Sequence, residues 1–199
     1  MAVAPPALSP RAPVEARPSR WLWTRERYDR AVNAGVFTPD DEVELLDGEI
    51  IEKMPQNNPH RTATLLAGQA LRAVFGPDAF AQEEKPIALS DQSEPEPDVA
   101  VVRGTIRDHL ADHPGPGAIL LLVEVADSSL FRDRVWKARL YAAAGVPEYW
   151  IVNLPGRVLE IHRDPAGGAY RTKTTHEPGE SVTPLARPET SIVVADLLP

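Results

Sequence analysis

Between Val43 and Ile51 two strand-like runs, Val43-Glu44-Leu45-Leu46 and Glu49-Ile50-Ile51, flank Asp47-Gly48. That dipeptide tolerates the positive φ of a tight turn, so the pattern predicts a β-hairpin. Upstream, Thr24 is suited to cap a helix over Arg25 to Ala34, with Gly35 in the left-handed position just beyond it. Downstream, Asn58-Pro59 opens a helical segment in which Leu65, Leu66, Gln69, Leu71 and Val74 follow a mixed 3.6-residue period until Gly76-Pro77 stops it. Such a helix is expected to pack on a sheet. Strands are expected over Ala79 to Glu83, Pro86 to Leu89 and Pro97 to Val102, and Ala118 to Val125 is apolar on both faces, as a central strand would be. Leu130 to Ala144 reads as a helix ended by Gly145 and Pro147, followed by a strand over Glu148 to Val152. Strand, helix, strand implies a parallel pair. Val158 to Arg163 and Ala169 to Thr174 flank a turn at Asp164 to Gly168, and Ser191 to Leu198 is expected to add an edge element.

Composition narrows the classes available. A chain of 199 residues, 43% hydrophobic and 25% charged, suits one domain with a real core, able to bury roughly 70% of its unfolded surface. Residues 1–20 are Ala- and Pro-rich and read as a disordered tail that cannot offset its ordering entropy, which leaves a single domain over 21–199. Pro5, Pro6, Pro10, Pro13 and Pro18 interrupt any secretory core, and the longest apolar run, Ala118 to Val123, is far below the ~20 residues of a membrane span. The absence of cysteine excludes disulfide scaffolds, thiolate metal sites and cysteine nucleophiles, and fits a cytoplasmic location. A formal charge of −8 argues against coating nucleic acid by bulk electrostatics but leaves room for a local basic groove.

Two acids stand in conspicuous places. Asp98 begins the apolar strand Val99-Ala100-Val101-Val102, and Glu124 sits late in the central apolar run. A carboxylate there suffers a large desolvation cost unless a cation or strong hydrogen bonds compensate it. If the two strands are neighbours, the acids converge and present hard oxygen ligands, the chemistry preferred by Mg²⁺ or Mn²⁺. Asp133, Lys137 and Tyr141 follow at steps of four, which puts an acid, an amine and a phenol on one helical face beside the Glu124 strand. An ammonium in that position can orient a nucleophile and stabilise charge building on a phosphate, so the set suggests phosphodiester hydrolysis.

Pro97-Asp98 followed by Glu124-Val125-Ala126 resembles the paired-acid core of the PD-(D/E)XK nucleases. The wider pattern, from Glu44-Leu45-Leu46-Asp47-Gly48-Glu49 through His60 at a helix start to Gly145-Val146-Pro147-Glu148-Tyr149-Trp150, resembles the Uma-two type family of restriction endonucleases. That resemblance implies a restriction-endonuclease-like fold of the mixed α/β (α+β) class, a central mixed β-sheet flanked by helices, with the N-terminal helix and the β-hairpin added. It implies divalent-metal-dependent DNA cleavage in which Asp98 and Glu124 bind Mg²⁺ or Mn²⁺, Lys137 is a catalytic lysine displaced onto a helix, and Glu49 is an accessory acid. His60, Arg132, Arg134 and Tyr141 are the candidates for contacting substrate. The residue two after Glu124 is Ala126 where the superfamily motif has lysine, so Lys137 must substitute.

Plainer readings stand beside these. Asp98 can cap a turn after Pro95 and Pro97, and Glu124 can form a buried ion pair with Lys137 or Arg139. Lys137 can be the i, i+4 partner of Asp133 on a solvated face, Glu44 and Glu49 can be surface, and His60 can serve the helix cap. His109 and His113 lack the Glu of a metalloprotease helix and precede Pro114-Gly115-Pro116-Gly117, which suits a solvated loop. The competing functional class is an inactive nuclease-like scaffold that binds nucleic acid or protein. A homodimer is expected if both DNA strands are cut, with Trp21, Trp23 or Tyr170 contributing to its interface.

Overall fold

The apolar run around Leu121 is buried on both sides because it lies inside a six-stranded sheet between two hydrophobic layers. The computed structural model describes residues 20–199, so the Ala- and Pro-rich segment expected as a tail falls, but for Arg20, outside the described residues. The strands are β1 (Val43–Leu46), β2 (Glu49–Glu52), β3 (Ala79–Glu83), β4 (Val99–Arg103), β5 (Ile119–Ala126), β6 (Glu148–Asn153), β7 (Val158–Ala166) and β8 (Ala169–His176). The large sheet has the order β3-β4-β5-β6-β7-β8, antiparallel throughout except for the parallel pair β5 and β6. That parallel pair is the one implied by the strand–helix–strand pattern.

Alternation along β4 and β5 sorts the layers. Val99, Val101, Val123 and Val125 face the layer that contains Ala63, Ala67 and Leu71 of α2 (Asn58–Phe75). Ala100, Val102, Leu122 and Ala126 face the layer that contains Leu140 and Tyr141 of α3 (Ala138–Ala143), together with Leu46 from the hairpin. Asp98 and Glu124 have the parity of the second group, so both acids project toward α3 and the hairpin.

Local chemistry explains the elements around the site. Thr24 caps α1 (Arg25–Asn33), and its side chain accepts from the Arg27 N–H, while Gly35 has φ +72°. Asp47 and Gly48 both have positive φ, the requirement of a two-residue turn that continues the strand twist between β1 and β2. Asn57 caps α2 by accepting from the His60 N–H, and Pro59 sits in the first turn, where no donor is lost.

Four expectations need correction. Pro86 to Leu89 is not a strand: the N–H groups of Ile87, Ala88 and Leu89 bond to Pro95, Pro114 and Ser93 in loops, and no partner strand runs alongside. Leu130 to Ala144 is not regular α-helix, because Arg132–Lys137 is π-helical before α3 begins, with the Ala138 N–H bonding to the Asp133 carbonyl five residues back. The turn between β7 and β8 is only Gly167-Gly168, so both strands extend further than expected. Ile192–Val193 pairs with Ser181–Val182 in a separate two-stranded ladder, and Val194 and Leu197 then bury against the α2 layer rather than extending the main sheet.

Candidate active site

β4 and β5 place the two acids. Val99 pairs with Val123, and one step beyond that rung the register brings Asp98 opposite Glu124. Residues directly opposite in an antiparallel pair have Cβ atoms about 4.5–5.5 Å apart. The ladder stops there because Pro97 has no N–H to give, and Asp98 Oδ2 accepts instead from the Val125 N–H at 2.7 Å. Asp98 is 6% exposed and Glu124 4%, and both line a cleft of about 710 Å³.

The π-helical segment supplies the counter-charge. Lys137 Nζ donates to Glu124 Oε1 at 2.9 Å and lies 3.4 Å from Glu44 Oε1, and the Tyr141 hydroxyl donates to the same Glu124 oxygen at 2.6 Å. Asp133 is also buried, and its Oδ2 accepts from the Ser129 hydroxyl at 2.5 Å. A π-turn widens the helix locally and is often found at functional sites. Here it carries Asp133 and Lys137 inward together, while Tyr149 donates to the Asp133 carbonyl at 3.2 Å.

Four buried carboxyl groups, Glu44, Asp98, Glu124 and Asp133, therefore act on one ammonium. Burial alone would lower the Lys137 pKa, but Glu124, Glu44, Asp133 and Asp98 outweigh it and hold the group well above its usual value. Lys137 stays cationic. Glu124 moves upward from the ordinary carboxylate range, first through burial and then through the charges of Asp98, Asp133 and Glu44, against the pull of Lys137. Asp133 is raised mainly by burial. His60, at the α2 N-terminus, sets Nε2 3.4 Å from Asp98 Oδ2; burial disfavours its charged form, yet the Asp98 contact and Glu84 raise its pKa overall.

Several expected members sit elsewhere. Glu49 does not join the cleft: it pairs with Arg20 at 2.6 Å and its side chain is 40% exposed. Glu44, which could have been surface, is instead the hairpin acid buried at the cleft, with Oε2 accepting from the Glu96 N–H at 3.1 Å and Oε1 without a hydrogen-bond partner. Both acids lie on one face of the hairpin, since Glu49 is opposite Leu46 and Glu44 opposite Ile51, but Glu49 is at the turn end, away from the acids. Alternation of β1 was the sequence signal that could have singled out Glu44, which shares a face with the buried Leu46.

Arg134 also lies outside the cleft, its guanidinium forked onto Glu160 at 2.9 and 2.6 Å. Tyr141 is fully buried beneath Glu124, so it positions that carboxylate and does not line the cleft. Arg132 and His60 do line it. Tyr170, expected at an exposed interface, is 4% exposed and donates to the Val146 carbonyl, whereas Trp21 is 63% exposed. Arg139 is drawn to Asp47, so the basic run on this segment is largely neutralised by acids. The solvated-face reading of Lys137 does not hold, because Lys137 and Asp133 are both buried.

Comparison with known proteins fits this geometry. No curated protein matches the chain. Among solved structures, a crystal structure of "a putative nuclease belonging to DUF820" from Anabaena variabilis superposes with a TM-score of 0.65 at 18% identity, over 83% of this chain and 94% of that one. At that identity the likeness establishes the fold alone. A family model described as "Putative restriction endonuclease" matches residues 25–195, spanning α1, the hairpin, both acid-bearing strands and the π-helical segment, and the chain belongs to that family, Uma2.

Proposed function

We propose that the protein is a divalent-metal-dependent DNA endonuclease that hydrolyses phosphodiester bonds in the cleft floored by Asp98 and Glu124. The observation that carries this reading is the meeting of those two acids at one end of the β4–β5 ladder, with Lys137 on the shared side. Among the described residues no three acid or imidazole side chains form a ready-made metal cage. Mg²⁺ does not need one, because it is commonly held by one or two carboxylates with waters and substrate phosphates completing its shell. The donor chemistry fits: all the acids are hard oxygen donors, they outnumber the single ammonium, and Glu44 Oε1 is a buried acceptor without a hydrogen bond. Asp98 and Glu124 would hold Mg²⁺ or Mn²⁺, with Glu44 beside them. When bound, the ion supplies Lewis-acid stabilisation of charge on a phosphoryl oxygen.

The chain's own residues account for the remaining roles. Lys137 has three N–H donors; one is engaged by Glu124 and one is directed by the charge of Glu44, which leaves a donor to orient the attacking water. Because surrounding carboxylates keep it protonated, Lys137 acts through position and charge and not as a proton acceptor. Tyr141 fixes the Glu124 carboxylate from below, and His60 fixes Asp98 from the α2 end. Arg132 is a cleft cation available to a phosphate, since it lines the cleft and its Nε is buried without a hydrogen-bond partner, and the exposed Lys85 lines the same cleft. If both strands are cut, a homodimer brings two such centres to one duplex.

The test is cleavage of plasmid and linear DNA with Mg²⁺ or Mn²⁺ by the wild-type protein, Asp98→Ala and Lys137→Ala. Metal-dependent cleavage lost in both variants supports the proposal, and equal activity in all three proteins overturns it. Calorimetric titration with Mg²⁺ adds an independent readout, since saturable uptake must disappear in Glu124→Ala.

A further inference from the structure

The cleft that holds the acids also has an apolar lining, for which phosphodiester hydrolysis alone has no use. Tyr28, Val32, Phe37 and Met54 line the same cavity as Asp98 and Glu124. Val32 is 44% exposed and Met54 46%, so both present apolar surface to the cleft that holds the acids. Phe37 stands 5.7 Å from Tyr28 and 5.8 Å from Trp23, centroid to centroid, so the aromatic wall is held in place by its own packing. The Tyr28 hydroxyl donates to the Val43 carbonyl at 3.1 Å, which ties that wall to the residue beside Glu44. On the other side Arg132 reaches toward the Glu52 carbonyl at 3.4 Å, two residues before Met54. Cationic, apolar and acidic groups thus share one space.

We propose that this cleft receives an unpaired DNA strand, with a nucleobase stacked on Phe37 and Met54, a neighbouring phosphate on Arg132, and the scissile phosphate at the acids. The proposal rests on the nuclease reading for its chemistry and goes beyond it in substrate class. A paired duplex keeps its bases stacked inside and offers nothing to an apolar wall, whereas every unpaired base has a free face for aromatic or apolar contact. The size agrees, because about 710 Å³ lies within the roughly 300–1,000 Å³ range of pockets that enclose one small ligand. The depth agrees as well: acids that are 4% and 6% exposed are reached by an extruded or single strand more easily than by a rigid double helix. The formal charge of −8 further disfavours broad contact with a duplex, whose two strands double the phosphate density.

The experiment measures fluorescence anisotropy with Mg²⁺ for three phosphorothioate-linked probes, a single strand, its perfect duplex, and the duplex with a central unpaired bubble. Single-stranded and bubble probes should bind about tenfold or more tightly than the duplex. Phe37→Ala and Met54→Ala should each weaken single-strand binding about tenfold, while Phe37→Trp preserves it. Met54 is half exposed, so its variant keeps the test valid even if Phe37→Ala unfolds. Equal affinity for all three probes, or unchanged single-strand binding by Met54→Ala, overturns the proposal. Cleavage of unmodified versions separates the two readings. Metal-dependent cutting of duplex and single strand at equal rates removes the substrate preference and keeps the nuclease, whereas the binding preference without any cutting does the reverse.

Discussion

Lys137 Nζ and the Tyr141 hydroxyl converge on one oxygen of Glu124, at 2.9 and 2.6 Å, at the buried floor of the cleft. That convergence orients the carboxylate and leaves its other oxygen without a protein hydrogen-bond partner among the described residues. Removing either donor has a different consequence, because one carries charge and the other does not.

Lys137→Ala leaves Glu124 and Glu44 buried without their cation, a change that typically costs about 3–5 kcal/mol. Urea unfolding should show that loss together with the loss of metal-dependent cleavage. The double variant Lys137→Met with Glu124→Gln should recover much of the stability and none of the cleavage. Full recovery of cleavage there would remove Lys137 and Glu124 from the reaction.

Tyr141→Phe removes one hydrogen bond to a carboxylate, worth about 1.5–3 kcal/mol when the acceptor is charged. Because Tyr141 positions Glu124 without lining the cleft, the variant should weaken Mg²⁺ uptake measured by calorimetry and lower kcat, with the KM for DNA little changed. A change confined to KM would mean that the phenol contacts substrate after all.

Glu44 and Glu49 make a paired control. Glu44→Gln should reduce cleavage and Mg²⁺ affinity, since Glu44 is buried beside Lys137, whereas Glu49→Gln alters only an exposed pair with Arg20 and should match wild type in Tm and activity. The reverse ranking in a plasmid assay would restore the accessory role expected for Glu49.

Acid should destabilise the protein through His162. Burial first, and then the charge of Lys173, depress its pKa from 6.5 to about 4 against the opposing effect of Glu160, in a niche between Tyr149 and Tyr170. The unfolded chain takes up the proton first, so stability is full above pH ~6.5, falls as the pH drops below that, and levels off near pH 4. The depression corresponds to roughly 3 kcal/mol at most. Unfolding free energies for wild type and His162→Phe, followed from pH 7 to pH 4, should diverge in that window, and parallel curves would rule out this residue as the cause.

Much of the architecture was legible locally. The capped start of α1, the Asp47-Gly48 turn, the limits of α2 and the parallel pairing of β5 with β6 all follow from chemistry within a few residues or from a rule about connections. The partnership of Asp98 and Glu124 was also legible, because a carboxylate in an apolar strand requires compensation wherever the strand lies. Pro86 to Leu89 misled, since a strand needs a hydrogen-bonded neighbour, and the apolar character of Ile87 and Leu89 reflects packing in the layer with Ala100, Val102 and Leu122.

The sequence by itself determined most of the elements and marked two acids whose burial needed compensation, by a cation or by hydrogen bonds. Only the tertiary structure decided that Glu44, and not Glu49, completes the cluster, that Arg134 is spent on Glu160, and that a π-turn brings Asp133 and Lys137 inward together. The reason is physical: periodicity assigns a side chain to a face, but which end of a hairpin meets the sheet, and which of several arginines meets an acid, depend on contacts between residues far apart in the chain.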